Sequence, residues 1–280
     1  MNISYNNILP GKNGKPILLD YGFKQTQQPK PVVIFAHGFK GFKDWGHFNK
    51  VMEHFVEQGF GFVKFNFSHN GGTKEQPIDF PDLEAFGNNN YSKELDDLKT
   101  VVDWITNDIS LPPKEINKEE IYLIGHSRGG GISVIAASED QRIKKLVTWA
   151  AVADLINRVS PQELAYWEKE GVIYVENART QQQMPMYYQF AEDTLKHKER
   201  LTIERAAKTI DFPHLIIHGT NDQAVPLSEA NNLAQWNPNA DLFIIEGADH
   251  VFGARHPFQD EDFPNDVKIV LERTIQFLTT

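Results

Sequence analysis

Residues 121–131 read Ile-Tyr-Leu-Ile-Gly-His-Ser-Arg-Gly-Gly-Gly, and Ile132, Val134, Ile135 and Ala136 continue them as an apolar helical stretch. The centre of this run, Gly125-His126-Ser127-Arg128-Gly129, is G-x-S-x-G between a strand and a helix. A serine on such a turn is held in a strained backbone conformation, and small residues two before and two after it let strand and helix approach. The turn lifts the Ser127 hydroxyl above the carboxyl ends of the strands. It also sets the Arg128 amide at a positive helix N-terminus. Ser127 is the candidate nucleophile.

A serine hydroxyl attacks at neutral pH only when an imidazole takes its proton. The chain offers 10 histidines. His37 and His218 each end a strand as His-Gly, where an imidazole braces a loop, and His126 within the turn should point away from Ser127. His250 lies in Glu246-Gly-Ala-Asp-His250-Val-Phe after a late strand, a position from which its ring can swing over the serine. A carboxylate must then fix the imidazole. His218-Gly-Thr-Asn-Asp222-Gln-Ala-Val-Pro226 supplies Asp222 after the preceding strand, with Pro226 stiffening the exit of its loop. Asp154 and Asp249 are the rivals, although adjacency to His250 turns Asp249 elsewhere. The order Ser127, Asp222, His250 is the one that strand-turn-helix hydrolases show. Donors for a tetrahedral oxyanion would be the Arg128 amide and that of Phe39, in Ala36-His37-Gly38-Phe39-Lys40-Gly41.

These residues need a scaffold. Short apolar runs alternate with amphipathic stretches, the pattern of buried parallel strands and crossover helices. The strand runs are 32–36, 61–67, 121–125, 145–150, 215–218 and 242–245; helices are expected over 49–58, 92–107 and from Val267 to Leu278. Right-handed crossovers then give an α/β fold with a doubly wound, mostly parallel sheet. The first 22 residues read as a strand pair added at its edge. Residues 152–209 exceed what one crossover helix requires and read as an inserted cap of small helices after the sixth strand. The core would then be 1–151 and 210–280.

Length and composition narrow the field. The 280 residues suit one large domain with an insertion, and 28 Lys plus Arg against 38 Asp plus Glu leave a charge of −10. With no basic run, a nucleic-acid partner is not expected. The absence of cysteine excludes a disulfide framework, a thiolate nucleophile and thiolate metal sites. There is no Walker A loop, no dinucleotide glycine fingerprint and no His-Glu-x-x-His, so no cofactor and no metal are expected. No run approaches a membrane span and the first ten residues lack signal-peptide character, so a cytoplasmic location is expected.

Taken together, His37-Gly38-Phe39, Gly125-His126-Ser127-Arg128-Gly129, His218-Gly219 with Asp222, and Asp249-His250 make the chain resemble an α/β hydrolase. The branch is that of esterases and acyl-peptidase-like serine hydrolases. Cap placement and the Phe39 form of the oxyanion loop are similar to bacterial feruloyl or cinnamoyl esterases. One departure follows the fourth strand: relatives carry Asp-x-Arg-Gly-x-Gly where this chain has Asn66-Phe67-Ser68-His69-Asn70-Gly71-Gly72, so the bracing of that turn must differ. The expected activity is cofactor-free hydrolysis of a small carboxylic ester through an acyl-enzyme. Acyl-peptide or thioester hydrolysis is the enzymatic alternative, and a non-catalytic ligand-binding protein of the same fold is the alternative of another class. Phe86, Trp167, Tyr187 and Phe252 are the candidate substrate-binding residues; Arg128 could meet an acidic group.

Overall fold

The computed structural model describes residues 1–108, 111–112 and 114–280. In chain order the elements are β1 (Asn2–Leu9), β2 (Ile17–Phe23), β3 (Lys30–Ala36), α1 (Phe48–Glu57), β4 (Gly61–Asn66), α2 (Leu83–Gly87), α3 (Tyr91–Asn107), β5 (Ile116–His126), α4 (Arg128–Glu139) and β6 (Ile143–Trp149). There follow α5 (Pro161–Glu170), β7 (Val172–Asn177), β8 (Gln182–Tyr187), α6 (Gln189–Lys196), α7 (Ile203–Thr209), β9 (His214–Gly219), α8 (Leu227–Trp236), β10 (Ala240–Ile245) and α9 (Asn265–Thr279).

The main sheet runs β1-β2-β4-β3-β5-β6-β9-β10. Its β1/β2 and β2/β4 pairs are antiparallel and all others parallel, so the opening strand pair does sit at the edge. Strand residues alternate between two cores. Val32, Ile34, Ile121 and Leu123 face the layer that holds α3, α4 and α8, while Val33, Phe35, Tyr122 and Ile124 face α1 and α9. That alternation is the pleat, and burial on both faces is why these strands read as unbroken apolar runs.

Chain order reverses across β3, with β4 on one side and β5 on the other. Loops leaving the carboxyl ends of adjacent β3 and β5 therefore open a crevice between them, the place where open α/β sheets bind ligands. Both the Phe39 loop and the Ser127 turn start there.

The cap follows β6. Its first helix, α5, is delimited by local chemistry: Ser160 and Glu163 form a reciprocal capping box, Pro161 opens the helix and Gly171 closes it at φ 74°. The cap is not wholly helical, because β7 and β8 form an antiparallel hairpin of their own. Alternation of Val172, Tyr174 and Glu176 with Ile173, Val175 and Asn177 suits a strand better than a helix face. Among the described residues, no helix is long and apolar enough to cross a membrane.

Candidate active site

Ser127 joins β5 to α4 with φ 56° and ψ −123°, a left-handed conformation that crowds any Cβ. Neighbouring chain over-determines it. The Ser127 amide donates to the Trp149 carbonyl at 2.9 Å, and its carbonyl accepts from Gly130 at 3.0 Å and Val152 at 3.2 Å. The two flanking glycines are sterically required. A Cβ at Gly125 would lie 2.5 Å from the Gly129 oxygen, and one at Gly129 would lie 2.3 Å from the His37 oxygen.

Three side chains from three loops meet above this turn. The Ser127 hydroxyl donates to His250 Nε2 at 3.0 Å, and His250 Nδ1–H donates to Asp222 Oδ2 at 2.8 Å. The other oxygen of Asp222 accepts the Ala224 and Val225 amides, both at 2.8 Å. Burial pushes the Asp222 carboxyl up, but hydrogen bonds from His218, His250 and the Val225 amide outweigh it and hold it well below the usual carboxylate range. The His250 side chain keeps 23% of its surface exposed, enough to meet a substrate, whereas that of Asp222 is sealed. Both rival carboxylates are engaged elsewhere. Asp249 accepts the Val251 and Gly253 amides, shaping the turn that carries His250, and Asp154 accepts the Ile156 and Asn157 amides.

His126 lies under the triad. Its Nε2–H donates to the His250 carbonyl at 2.9 Å, and burial pushes its imidazole down to about 3. It stays neutral and supports the backbone beneath the His250 ring.

The Phe39 loop packs directly on the nucleophile turn. A Cβ at Gly38 would sit 2.8 Å from Ser127 Cβ, so only glycine allows the approach. Among the described residues, neither the Phe39 nor the Arg128 amide is given to a protein acceptor. His37 fastens the loop from below: its Nδ1–H donates to the Gly38 carbonyl at 2.8 Å and its Nε2 accepts the Phe67 amide at 3.4 Å. Burial pushes His37 down to about 4, which preserves that tautomer.

Asn66 and Asn70, the residues of the departure after β4, supply the bracing. Asn66 accepts the Lys43 amide at 2.6 Å, and Asn70 donates to the Gly41 carbonyl at 3.2 Å. Beneath them lies a four-membered buried ion network. Lys43 pairs with Asp20 at 2.8 Å and Asp44 at 2.6 Å, and Lys64 pairs with each of these carboxylates at 2.5 Å. It ties β2 and β4 to the segment leaving the Phe39 loop.

Cap and core enclose a cavity of about 890 Å³ that opens onto Ser127. Its apolar wall includes Phe39, Tyr91, Trp167, Ile173, Met186 and Phe190, and two arginines, Arg128 and Arg158, interrupt it. Of the candidate substrate-binding residues, only Trp167 lines this space, its indole N–H donating to the Met186 carbonyl at 2.8 Å. Phe86 backs Phe39 from behind, with ring centroids 5.7 Å apart. Tyr187 donates its hydroxyl to Glu84 at 2.5 Å and lays its ring on Gly87. Phe252, at φ 56°, turns into the core beside Trp149 and α9. Proximity in sequence to His250 does not carry a side chain into the same pocket when a positive-φ turn intervenes.

Tyr91, Glu94 and Arg158 were not singled out from sequence. Glu94 carried a signal: it falls on the apolar face of α3 with Tyr91, Leu95 and Leu98, and a charge there needs a partner. That partner is Arg128, whose Nη2 donates to Glu94 Oε1 at 2.6 Å. Burial pushes the Glu94 carboxyl up despite this contact.

Fold and site together define an α/β hydrolase of the esterase-like kind. The chain belongs to the BD-FAE family, whose sequence model matches residues 19–237. No curated protein sequence matches it. Among solved structures it is similar to Est1E from Butyrivibrio proteoclasticus, at 18% identity and a TM-score of 0.72, with 99% of this chain and 98% of that one covered. A structure of Est1E with ferulic acid bound aligns at 19% identity and TM-score 0.73, again over 99% and 98% of the two chains. The esterase domain of a Rhodothermus marinus protein aligns at 19% identity and TM-score 0.66, covering 99% of this chain and 100% of that domain.

Proposed function

We propose that this protein is a carboxylic ester hydrolase that works through an acyl-enzyme and accepts feruloyl- or cinnamoyl-type acids. The observation that carries the reading is the unbroken hydrogen-bond line from Asp222 through His250 to Ser127. Ser127 Oγ attacks the ester carbonyl as His250 Nε2 takes its proton, and Asp222 stabilises the imidazolium that results. The Phe39 and Arg128 amides receive the oxyanion, donors of a kind each worth roughly 10²–10³ in rate. His250 then protonates the leaving alcohol, activates water against the acyl-enzyme, and is restored when Ser127 leaves. No bound group is needed for any of these steps.

The acyl preference is supported by the cavity. Aromatic and branched side chains would sandwich a planar acid, and Arg128 retains N–H donors beyond the one given to Glu94 for a ring oxygen. Ferulic acid is the ligand of Est1E, a protein with the same fold. Because Glu94 already balances the charge of Arg128, the wall offers directional donors more than net positive charge, which favours neutral oxygens over a carboxylate.

The test is steady-state hydrolysis of p-nitrophenyl acetate to decanoate and of methyl ferulate, cinnamate and hydrocinnamate, with wild type beside Ser127→Ala. Ser127-dependent turnover favouring ferulate supports the full reading, and preference for simple short chains leaves a general carboxylesterase. Turnover of thioesters or acyl-peptides instead of esters replaces the reading with that alternative. Failure of a fluorophosphonate to label Ser127 in folded protein would point to a binding role.

A further inference from the structure

Asp222 faces a second histidine. His218 ends β9 with its side chain wholly buried, and its Nε2 lies 2.9 Å from the Val225 carbonyl and 3.4 Å from Asp222 Oδ2. Among the described residues, its buried Nδ1 has no hydrogen-bond partner. Those contacts determine the tautomer. A carbonyl oxygen can only accept, so Nε2 carries the proton toward it and Nδ1 is a buried lone pair. His218 therefore turns the N–H end of its ring toward the Val225 carbonyl and the carboxylate.

The contacts form a closed relay. His218 Nε2–H holds the Val225 carbonyl, the Val225 amide holds Asp222 Oδ1 at 2.8 Å, and Asp222 Oδ2 accepts His250 Nδ1–H at 2.8 Å. The Val225 peptide is thus gripped on both of its polar groups, and the orientation of the Asp222 carboxylate follows from that grip. Among the described residues, no other hydrogen bond holds the Val225 carbonyl.

We propose that His218 is a positioning residue for the reaction: by clamping the Val225 peptide and lying against Asp222 Oδ2, it fixes the carboxylate that orients His250. The inference rests on the reading of Ser127, His250 and Asp222 as the catalytic triad. His218 touches neither substrate nor the reacting atoms, and its effect passes entirely through Asp222. Losing its N–H leaves the carboxylate less satisfied, so that it interacts more strongly with a protonated His250. The other groups facing His250 are Ser127, across Nε2, and the neutral His126, whose ring centroid is 4.9 Å away.

The experiment measures kcat/KM against pH for wild type, His218→Leu and His218→Gln, each normalised to active sites titrated with a fluorophosphonate. The leucine variant is expected to lose 10- to 100-fold in kcat with KM changed less than threefold, and the acid limb of its profile should move to higher pH. Glutamine can return an N–H donor near the Nε2 position and should recover much of the rate and the original limb. A leucine variant with wild-type kcat and an unmoved profile per titrated site overturns the proposal. If His218→Leu does not fold, His218→Gln and His218→Asn decide it: donor placement matters only if Gln exceeds Asn. Absence of titratable, Ser127-dependent sites in wild type would instead overturn the triad reading itself.

Discussion

The guanidinium of Arg128 bonds the buried carboxylate of Glu94 at 2.6 Å while lying 4.3 Å above the ring of Phe39. The side chains of Arg128 and Phe39, the two residues proposed to supply oxyanion donors, are therefore linked to α3 through one contact. Replacing Glu94 with alanine removes the partner of a nearly buried cation and frees Arg128 to swing. The expected result is a 10- to 100-fold fall in kcat/KM on methyl ferulate, with KM raised as well, because the same guanidinium faces the acyl group in the cavity. Steady-state kinetics on an ester, normalised to titrated sites, measure it.

The strained turn at Ser127 gives a prediction of opposite sign for stability. With φ 56° and ψ −123°, any residue with a Cβ at this position is strained, and glycine is not. Ser127→Gly should be about 1 kcal/mol more stable than Ser127→Ala, and both should lose roughly 10⁴-fold or more in kcat. Denaturant melts of the two inactive variants give the comparison free of any catalytic effect.

Much of this site was legible because its chemistry demands particular residues at particular spacings. Gly125 and Gly129 mark the turn since no side chain fits between β5, α4 and the Phe39 loop, and His250 and Asp222 each follow a recognisable strand. What was not legible depends on directions that spacing does not encode. Phe252 is two residues from His250 yet enters the opposite core, because its own positive φ reverses the chain. Tyr187 and Phe86 are aromatic and near the cavity, but the first is tied to Glu84 and the second supports Phe39 from outside. The hairpin of β7 and β8 is hard to tell from helix in the sequence because its aromatic and polar residues are mixed in a way that also suits one apolar helix face. Glu94 and Asp20 needed the opposite inference, that a charge on an apolar face implies a partner brought by the fold.

Asp20 shows how such a buried charge behaves. It accepts from both Lys43 and Lys64, whose side chains are essentially without solvent contact, and from the Asn6 amide at 2.7 Å. Asp20→Ala leaves two buried ammonium groups with, among the described residues, Asp44 alone as their carboxylate, and removing one partner from a buried pair typically costs about 3–5 kcal/mol. Urea melts should show a loss of that order. Catalysis should suffer as well, since Lys43 continues the Phe39 loop, and kcat of the folded fraction is expected to fall severalfold.

Acid stability follows from histidines that burial keeps neutral. Burial pushes His37, His47 and His69 down to about 4 and His126 and His214 to about 3. Above an unfolded value of about 6.5, folded and unfolded chains bind the same protons at these positions. As pH falls from about 6.5 to 4 the unfolded chain takes up protons that the fold refuses, so stability is lost across that window. Asp97 opposes the trend: burial raises its carboxyl to about 7, so the fold binds a proton the unfolded chain lacks, and stability is gained as pH falls through 7. Glu94, also raised by burial, acts in the same direction, and the five histidines outweigh these two carboxyls. Urea midpoints should therefore decline steeply between pH 6.5 and 4.5, each depressed histidine contributing up to about 1.4 kcal/mol per pH unit. His214 gives the cleanest check, being wholly buried beside Thr148 and Asn237 and remote from Ser127. In His214→Gln the slope of stability against pH should be shallower by about one proton, and an unchanged slope would show that His214 titrates freely in the fold.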